Sequence, residues 1–132
     1  MTNRASGTFE VTLKPQPAYN QAAEANLRRM SIDKLFHGDL EASSQGEMLS
    51  AGTGVKGSAG YVAIERVTGM LQGRTGAFTL QHYATMHRGA PRLIISVTPD
   101  SGIGELAGLA GTMQIDIAGG QHSYLFEYTL GE

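Results

Sequence analysis

The sequence predicts an all-β protein, a single antiparallel β-barrel domain of about eight strands over residues 1–132, with a β-sandwich as the alternative. Three observations predict it. The 132-residue chain carries 18 glycines, and they recur between short runs of alternating apolar and polar residues. That spacing suits strands with tight turns and suits long helices badly. Several of these runs face each other across glycine-bearing turns, which is the signature of hairpins. One face of the runs is apolar throughout and no strong amphipathic helix is available to cover it, so the sheet must close on itself or gain a second layer. Closure also removes exposed edges.

Taken in order, Thr8 to Lys14 alternates Phe9, Val11 and Leu13 against polar neighbours and is a half-buried first strand. Pro15 and Pro17 end it. Residues 19–29 are a loop or a turn or two of helix, because their apolar positions are small alanines plus Leu27. Arg28 to Phe36 alternates again, with Met30, Ile32 and Phe36 on one side, and Lys34 interrupts that apolar side. His37-Gly38 turns into a strand over Asp39–Ser50, and the glycine-rich Ala51 to Gly60 connects onward.

The stretch from Gly60 to Met86 is the hairpin that organises the rest. A turn centred on Gly73-Arg74 pairs Tyr61 with Met86, Ala63 with Ala84, Val67 with Leu80, and Gly69 with Phe78, all on one face. Glu65 and His82 then oppose each other on that apolar face, and the other face reads as solvated. A next turn at Arg88–Pro91 pairs His87 with Arg92 and sets His82 against Val97. Thr98 to Gly111 is too glycine-rich for a long helix and reads as a loop. Around Gly119-Gly120, Ile117 pairs with His122, Ile115 with Tyr124, and Met113 with Phe126.

Composition narrows the function classes. The net charge is −2 with interspersed signs, so no basic face exists to neutralise phosphates and no nucleic-acid partner is expected. The absence of cysteine removes disulfides, thiolate chemistry and Cys-ligated metal. Residues 1–11 lack the apolar core of a signal peptide and no apolar run is long enough to span a bilayer, so a soluble, cytoplasmic protein with no membrane partner is the expectation.

Two stretches match the letters of a dinucleotide fingerprint, Gly52–Gly57 and Gly102–Ala107. The motif works when a strand precedes it and a helix N-terminus follows to receive the pyrophosphate. A strand follows the first and glycines follow the second, so both read as turn glycines and no cofactor is expected. The histidines at 37, 82, 87 and 122 form no close ligand pair; a metal site would need Glu65, His82 and a third ligand from a distant strand, and none is expected.

Residues 38–53, 60–82, 99–113 and 122–130, reading GDLEASSQGEMLSAGT, GYVAIERVTGMLQGRTGAFTLQH, PDSGIGELAGLAGTM and HSYLFEYTL, resemble the domain-of-unknown-function 3224 family. The likeness covers most of the chain beyond Leu27. It implies a bacterial protein with a barrel similar to that of allene oxide cyclases, and by analogy with such barrels a homo-oligomer. It implies no activity, since none is established for that family.

The candidate site follows from the inner face. A buried carboxylate needs a partner, and Glu65 beside His82 would form a general acid/base couple in a pocket or a structural polar pair. The expectation is an apolar or amphipathic small molecule in the barrel interior, bound by Tyr61, Glu65, Phe78, His82, Met86, Val97, Met113, Tyr124, Phe126 and Tyr128. The alternatives are an isomerase or lyase using Glu65 and His82 for proton transfer, and a filled scaffold.

Overall fold

The computed structural model describes residues 2–131. Nine strands follow one another: β1 (Asn3–Gln16), β2 (Leu27–Gly38), β3 (Leu40–Gly52), β4 (Ala59–Leu71), β5 (Arg74–His87), β6 (Ala90–Val97), a two-residue β7 (Ile103–Gly104), β8 (Leu109–Ala118) and β9 (Gln121–Leu130). A single 3-10 turn, Ala23–Ala25, lies between β1 and β2. The eight long strands are ordered β4-β3-β2-β1-β9-β8-β6-β5, and β5 pairs back onto β4, so the sheet closes into an antiparallel barrel. This excludes the sandwich. The barrel wall is least zippered between β6 and β8, where only Ile95↔Met113 and Ser96↔Thr112 pair.

The hairpin registers differ from the expectation in two places. In β4–β5 Glu65 lies opposite Leu80, Ala63 opposite His82, and Tyr61 opposite Ala84. In β5–β6 His82 lies opposite Ile95, with Val97 opposite Leu80. In both hairpins the pairing is shifted by two: the first turn is centred on Gln72-Gly73 and not on Gly73-Arg74, and the second closes with two residues, Arg88-Gly89, and not four. The reason is the same in each: the residue before the glycine itself adopts a positive φ, Gln72 (45°) with Gly73 (87°) and Arg88 (50°) with Gly89 (91°). That is the type I′ pairing whose twist matches that of the strands. A shift of two keeps every side chain on its predicted face. The β8–β9 register is as predicted, with Ile117↔His122, Ile115↔Tyr124 and Met113↔Phe126 around Gly119-Gly120.

One end of the barrel is filled. Phe36, Leu40, Leu71, Phe78 and Phe126 are almost wholly buried there, with Phe78 stacked on Phe126 at 5.8 Å and Phe126 on Tyr128 at 5.2 Å. Leu106, from the connection between β7 and β8, packs into this core at 1% exposure. The Thr98–Gly111 segment is therefore a plug as well as a loop. At the other end, Leu13, Met86, Leu93 and Ile117 are all substantially exposed.

The outside of the barrel is less polar than the alternation suggests. Leu49, Val62, Tyr83 and Ile94 are consecutive cross-strand partners on β3 to β6 and all are exposed, as is Ile64 beside them. Leu49, Val62, Ile64 and Tyr83 line an open groove of about 640 Å³.

Candidate functional site

The barrel holds one polar cluster deep in its interior, built by four consecutive strands. Lys34 on β2, Ser44 on β3, Glu65 on β4 and His82 on β5 all carry inward parity and are the buried polar or charged side chains among the described residues. Lys34 and Ser44 are direct cross-strand partners. Glu65 and His82 are diagonal neighbours, since Glu65 faces Leu80 and His82 faces Ala63. Diagonal spacing is still within reach of long side chains. Gly46 is the β3 partner of Glu65, and it has no side chain for a steric reason. A Cβ there would run into the Ile64 carbonyl and lie 2.6 Å from Glu65 Cα.

Glu65 is fully buried and saturated. Its Oε1 accepts from the Ser44 hydroxyl at 2.6 Å. Its Oε2 accepts from the Lys34 ammonium at 2.8 Å and from His82 Nε2 at 2.6 Å. Burial alone pushes the Glu65 carboxyl upward, but the His82 hydrogen bond, the Lys34 charge and hydrogen bond, and the Ser44 hydroxyl outweigh it and hold the group down to about 2. An ionised carboxylate only accepts, so Nε2 of His82 carries the proton. The other ring nitrogen, Nδ1, is buried with no hydrogen-bond partner. Lys34 lies over the face of Phe9, 5.1 Å from its centroid, and 5.7 Å from that of Phe36, an arrangement that lends a buried cation further stabilisation.

Above this cluster, toward the open end, lies a cavity of about 220 Å³. Lys34 and His82 are among its walls, together with the apolar side chains Phe9, Ile32, Ala63 and Ile115 and, at the rim, Leu13 and Ile117. His122 also lines it, its ring tilted against that of Phe9 with centroids 5.1 Å apart. A second, apolar recess of about 360 Å³ shares Met48 and Tyr61 with it and includes Met86 and Leu93. Burial and the Glu65 charge raise the Tyr61 hydroxyl above the ordinary tyrosine range.

The site residues expected from the sequence divide accordingly. His82 and Tyr61 line the cavity, and Met86 lines the recess. Glu65 lies behind Lys34 and His82 as their shared acceptor and does not itself line the cavity. Phe78, Val97, Met113, Tyr124, Phe126 and Tyr128 belong to the closed core instead. They fill the barrel because aromatic rings stack across it and Leu106 seals its end. Neither Tyr61 nor Tyr128 partners the Glu65–His82 pair. The Tyr61 ring is 6.4 Å from that of His82, and the Tyr128 hydroxyl donates to Gln72 Oε1. The Tyr124 hydroxyl accepts from the Leu40 N–H and donates to the His37 carbonyl, both at 2.9 Å.

Within the polar cluster, the two residues that the sequence did not place in the site are Lys34 and Ser44; among the cavity walls it also left out Phe9, Ile32, Ala63, Ile115 and His122. Lys34 left a signal, as the one cation on an apolar parity. Ser44 left none, because a serine on an inner parity is common and small.

Residues 52–57 run from the end of β3 into a turn, and residues 102–107 contain β7 and a turn. Neither stretch opens a helix, so neither offers the geometry of a dinucleotide site. Among the described residues no group of three His, Asp or Glu side chains converges to hold a metal ion. Also among them, no helix is long and apolar enough to cross a membrane.

Comparison with known proteins agrees with this architecture. Residues 5–128 match the family described as protein of unknown function (DUF3224). A crystal structure of a protein with unknown function from the DUF3224 family of Shewanella oneidensis MR-1 is similar at 53% identity and a TM-score of 0.95, covering 100% of this chain and 99% of that one. No curated protein matches. The chain belongs to the DUF3224 family.

Proposed function

We propose that this DUF3224 member binds a small apolar or amphipathic molecule in the open half of its barrel. The head of the ligand lies against Lys34 and His82, with Glu65 behind them as counter-ion, and its tail lies along the Tyr61–Met48 wall toward Met86 and Leu93. The observation that carries this reading is the asymmetry of the interior. One end is packed with aromatic side chains, while the other leaves a cavity of about 220 Å³ whose walls include the buried residues Lys34 and His82. A barrel serving only as a scaffold has no need of that combination, because buried charge costs stability that an apolar filling would not. The cavity exceeds the ~150 Å³ that admits benzene, so the ligand is of single-ring or short-chain size.

Chemical-shift mapping tests this with 1-octanol and octanal as probes. Amide shifts concentrated at Lys34, Tyr61, Ala63 and His82 are the expected result. Shifts confined to the outer groove around Ile64 and Tyr83, or none, would overturn it.

A second copy of the chain is the partner this reading assigns to the outer row. Under a two-fold axis parallel to the strands the row meets itself, Leu49 against Ile94 and Val62 against Tyr83, which is the self-complementarity an isologous interface requires. Light scattering across a concentration series is expected to give a dimer for the native protein and a monomer for Tyr83→Lys. A native monomer at every concentration would dismiss the interface.

A further inference from the structure

We infer that His82 and Lys34 form a proton-transfer pair for a small, uncharged carbonyl compound, with His82 Nδ1 removing a proton from the carbon beside the carbonyl and Lys34 Nζ holding the carbonyl oxygen. This rests on the binding reading above and adds a reaction to it.

Three features of the cluster lead there. The first is the His82 ring. Its Nε2–H is committed to Glu65 at 2.6 Å, so in the neutral ring Nδ1 holds the free lone pair. That atom is buried and unpartnered in a residue only 7% exposed, a state natural proteins rarely leave without a reason. A carboxylate bonded to the far nitrogen fixes the tautomer and stabilises the imidazolium that forms when the near nitrogen takes a proton, the division of labour used by catalytic carboxylate–histidine pairs.

The second feature is Lys34. One of its N–H groups bonds Glu65 Oε2 at 2.8 Å, and no other hydrogen bond from Nζ exists among the described residues, so donors remain for a ligand oxygen. Lys34 and His82 bond the same carboxylate oxygen. Lys34 Nζ and His82 Nε2 therefore lie within two hydrogen-bond lengths of each other, Nδ1 belongs to the same small ring, and both residues line the same cavity. In the proposed pose one small ligand in that cavity meets Lys34 Nζ and His82 Nδ1.

The third feature is charge. Lys34 and Glu65 cancel, so a neutral ligand leaves the buried cluster balanced, whereas an anion would bring an uncompensated charge into it. The walls offered to the rest of the ligand, Phe9, Ile32, Ala63 and Ile115, are apolar.

The step balances without a co-reactant. The C–H bond breaks, its proton joins the His82 Nδ1 lone pair, and its electron pair becomes the carbon–carbon double bond of an enolate. The carbonyl π electrons move to oxygen, where Lys34 meets the developing charge. Return of the proton to the same carbon exchanges hydrogen with solvent, and return to a conjugated carbon isomerises the compound.

The test incubates the protein in D2O with 2-alkanones from 2-pentanone to 2-nonanone. Proton NMR follows loss of the α-proton signals, and saturation-transfer spectra report binding. At least one ketone is expected to bind and to exchange roughly a hundredfold faster with the native protein than with His82→Gln, the scale of one positioned base. Lys34→Met is expected to slow exchange while binding remains detectable. If either variant fails to fold, the native rate profile against pH decides. A rate that rises to a plateau as one group deprotonates supports the pair, and a rate tracking hydroxide throughout refutes it. Binding with exchange no faster than in buffer refutes the proton transfer and leaves the binding reading intact. No binding across the series removes both.

Discussion

Replacing Glu65 with glutamine removes the negative charge shared by Lys34 and His82, leaving at most a neutral amide oxygen as acceptor, and keeps the volume nearly unchanged. Glu65 Oε2 takes two short hydrogen bonds from those side chains, and Oε1 takes a third from Ser44. Hydrogen bonds to charged groups are worth roughly 1.5–3 kcal/mol each. The Lys34 side chain is only 6% exposed, so its ammonium would be left as a buried charge without a counter-ion. Breaking such a pair from one side costs about 3–5 kcal/mol, a large share of the ~5–15 kcal/mol that holds a domain together. Lys34→Met orphans the carboxylate and is expected to cost a similar amount. The double variant removes both charges and need not orphan either, so its loss falls short of the sum of the single losses by about 2 kcal/mol or more. Urea denaturation followed by circular dichroism, with the slopes checked for constancy, measures all four proteins. Additive losses, or a Glu65→Gln loss under about 1 kcal/mol, would refute the claim that this cluster is a coupled buried ion pair.

The remaining predictions concern pH, packing and turns. Because the folded-state value of Glu65 is depressed, from 4.5 to about 2, its contribution is fully present above the unfolded value and is lost as pH falls through the folded one. Native stability is thus expected to drop between about pH 4.5 and 2 by about 3 kcal/mol from this group. Glu65→Gln is expected to lose that part of the acid slope in urea titrations, and an unchanged slope would contradict it. Gly46→Ala is expected to cost about 1–3 kcal/mol and to move the His82 ring resonances, since the new methyl displaces Glu65 Cα; a silent substitution would contradict the close approach. Arg88→Asn is expected to raise the unfolding free energy by about 0.5 kcal/mol, seen as a higher urea midpoint, because asparagine tolerates the positive φ of a type I′ turn better than arginine. A lower midpoint would argue against that turn assignment.

Much of the barrel was legible because inward and outward parity is a local property of alternation. Phe9, Val67, Phe78, Leu80 and Phe126 fall on the inner face whatever the register, and so do Glu65 and His82. Register was less legible. It depends on which turn residues take positive φ, and neither Gln72 nor Arg88 advertises that as asparagine would. The consequence is specific: Glu65 and His82 meet diagonally and not face to face, and the lengths of their side chains make the bond regardless. Lys34 marked itself by breaking the apolar stripe of β2, but its partner is on β4, and no local pattern states which strands a barrel brings together across its interior. The extent of the cavity was also illegible. Whether inner aromatics fill the interior or line a hollow depends on where Leu106 and the stacked rings Phe78, Phe126 and Tyr128 pack, and all of them gather at one end. The outer row from Leu49 to Ile94 was hidden for the same reason. Each strand contributes a single residue to it, and only the cross-strand register aligns them.

The binding proposed above puts a small molecule at Lys34 and His82 in the open half of the barrel, and not on its outside. Native mass spectrometry of the protein as purified, and again after incubation with octanal, tests it most directly when the native chain is compared with Ala63→Phe, whose ring would occupy the cavity. The expected result is a one-to-one adduct on the native protein that organic solvent releases, and little or none on the folded Ala63→Phe protein. Equal adducts on both proteins, or the bare mass alone in every sample, would contradict it.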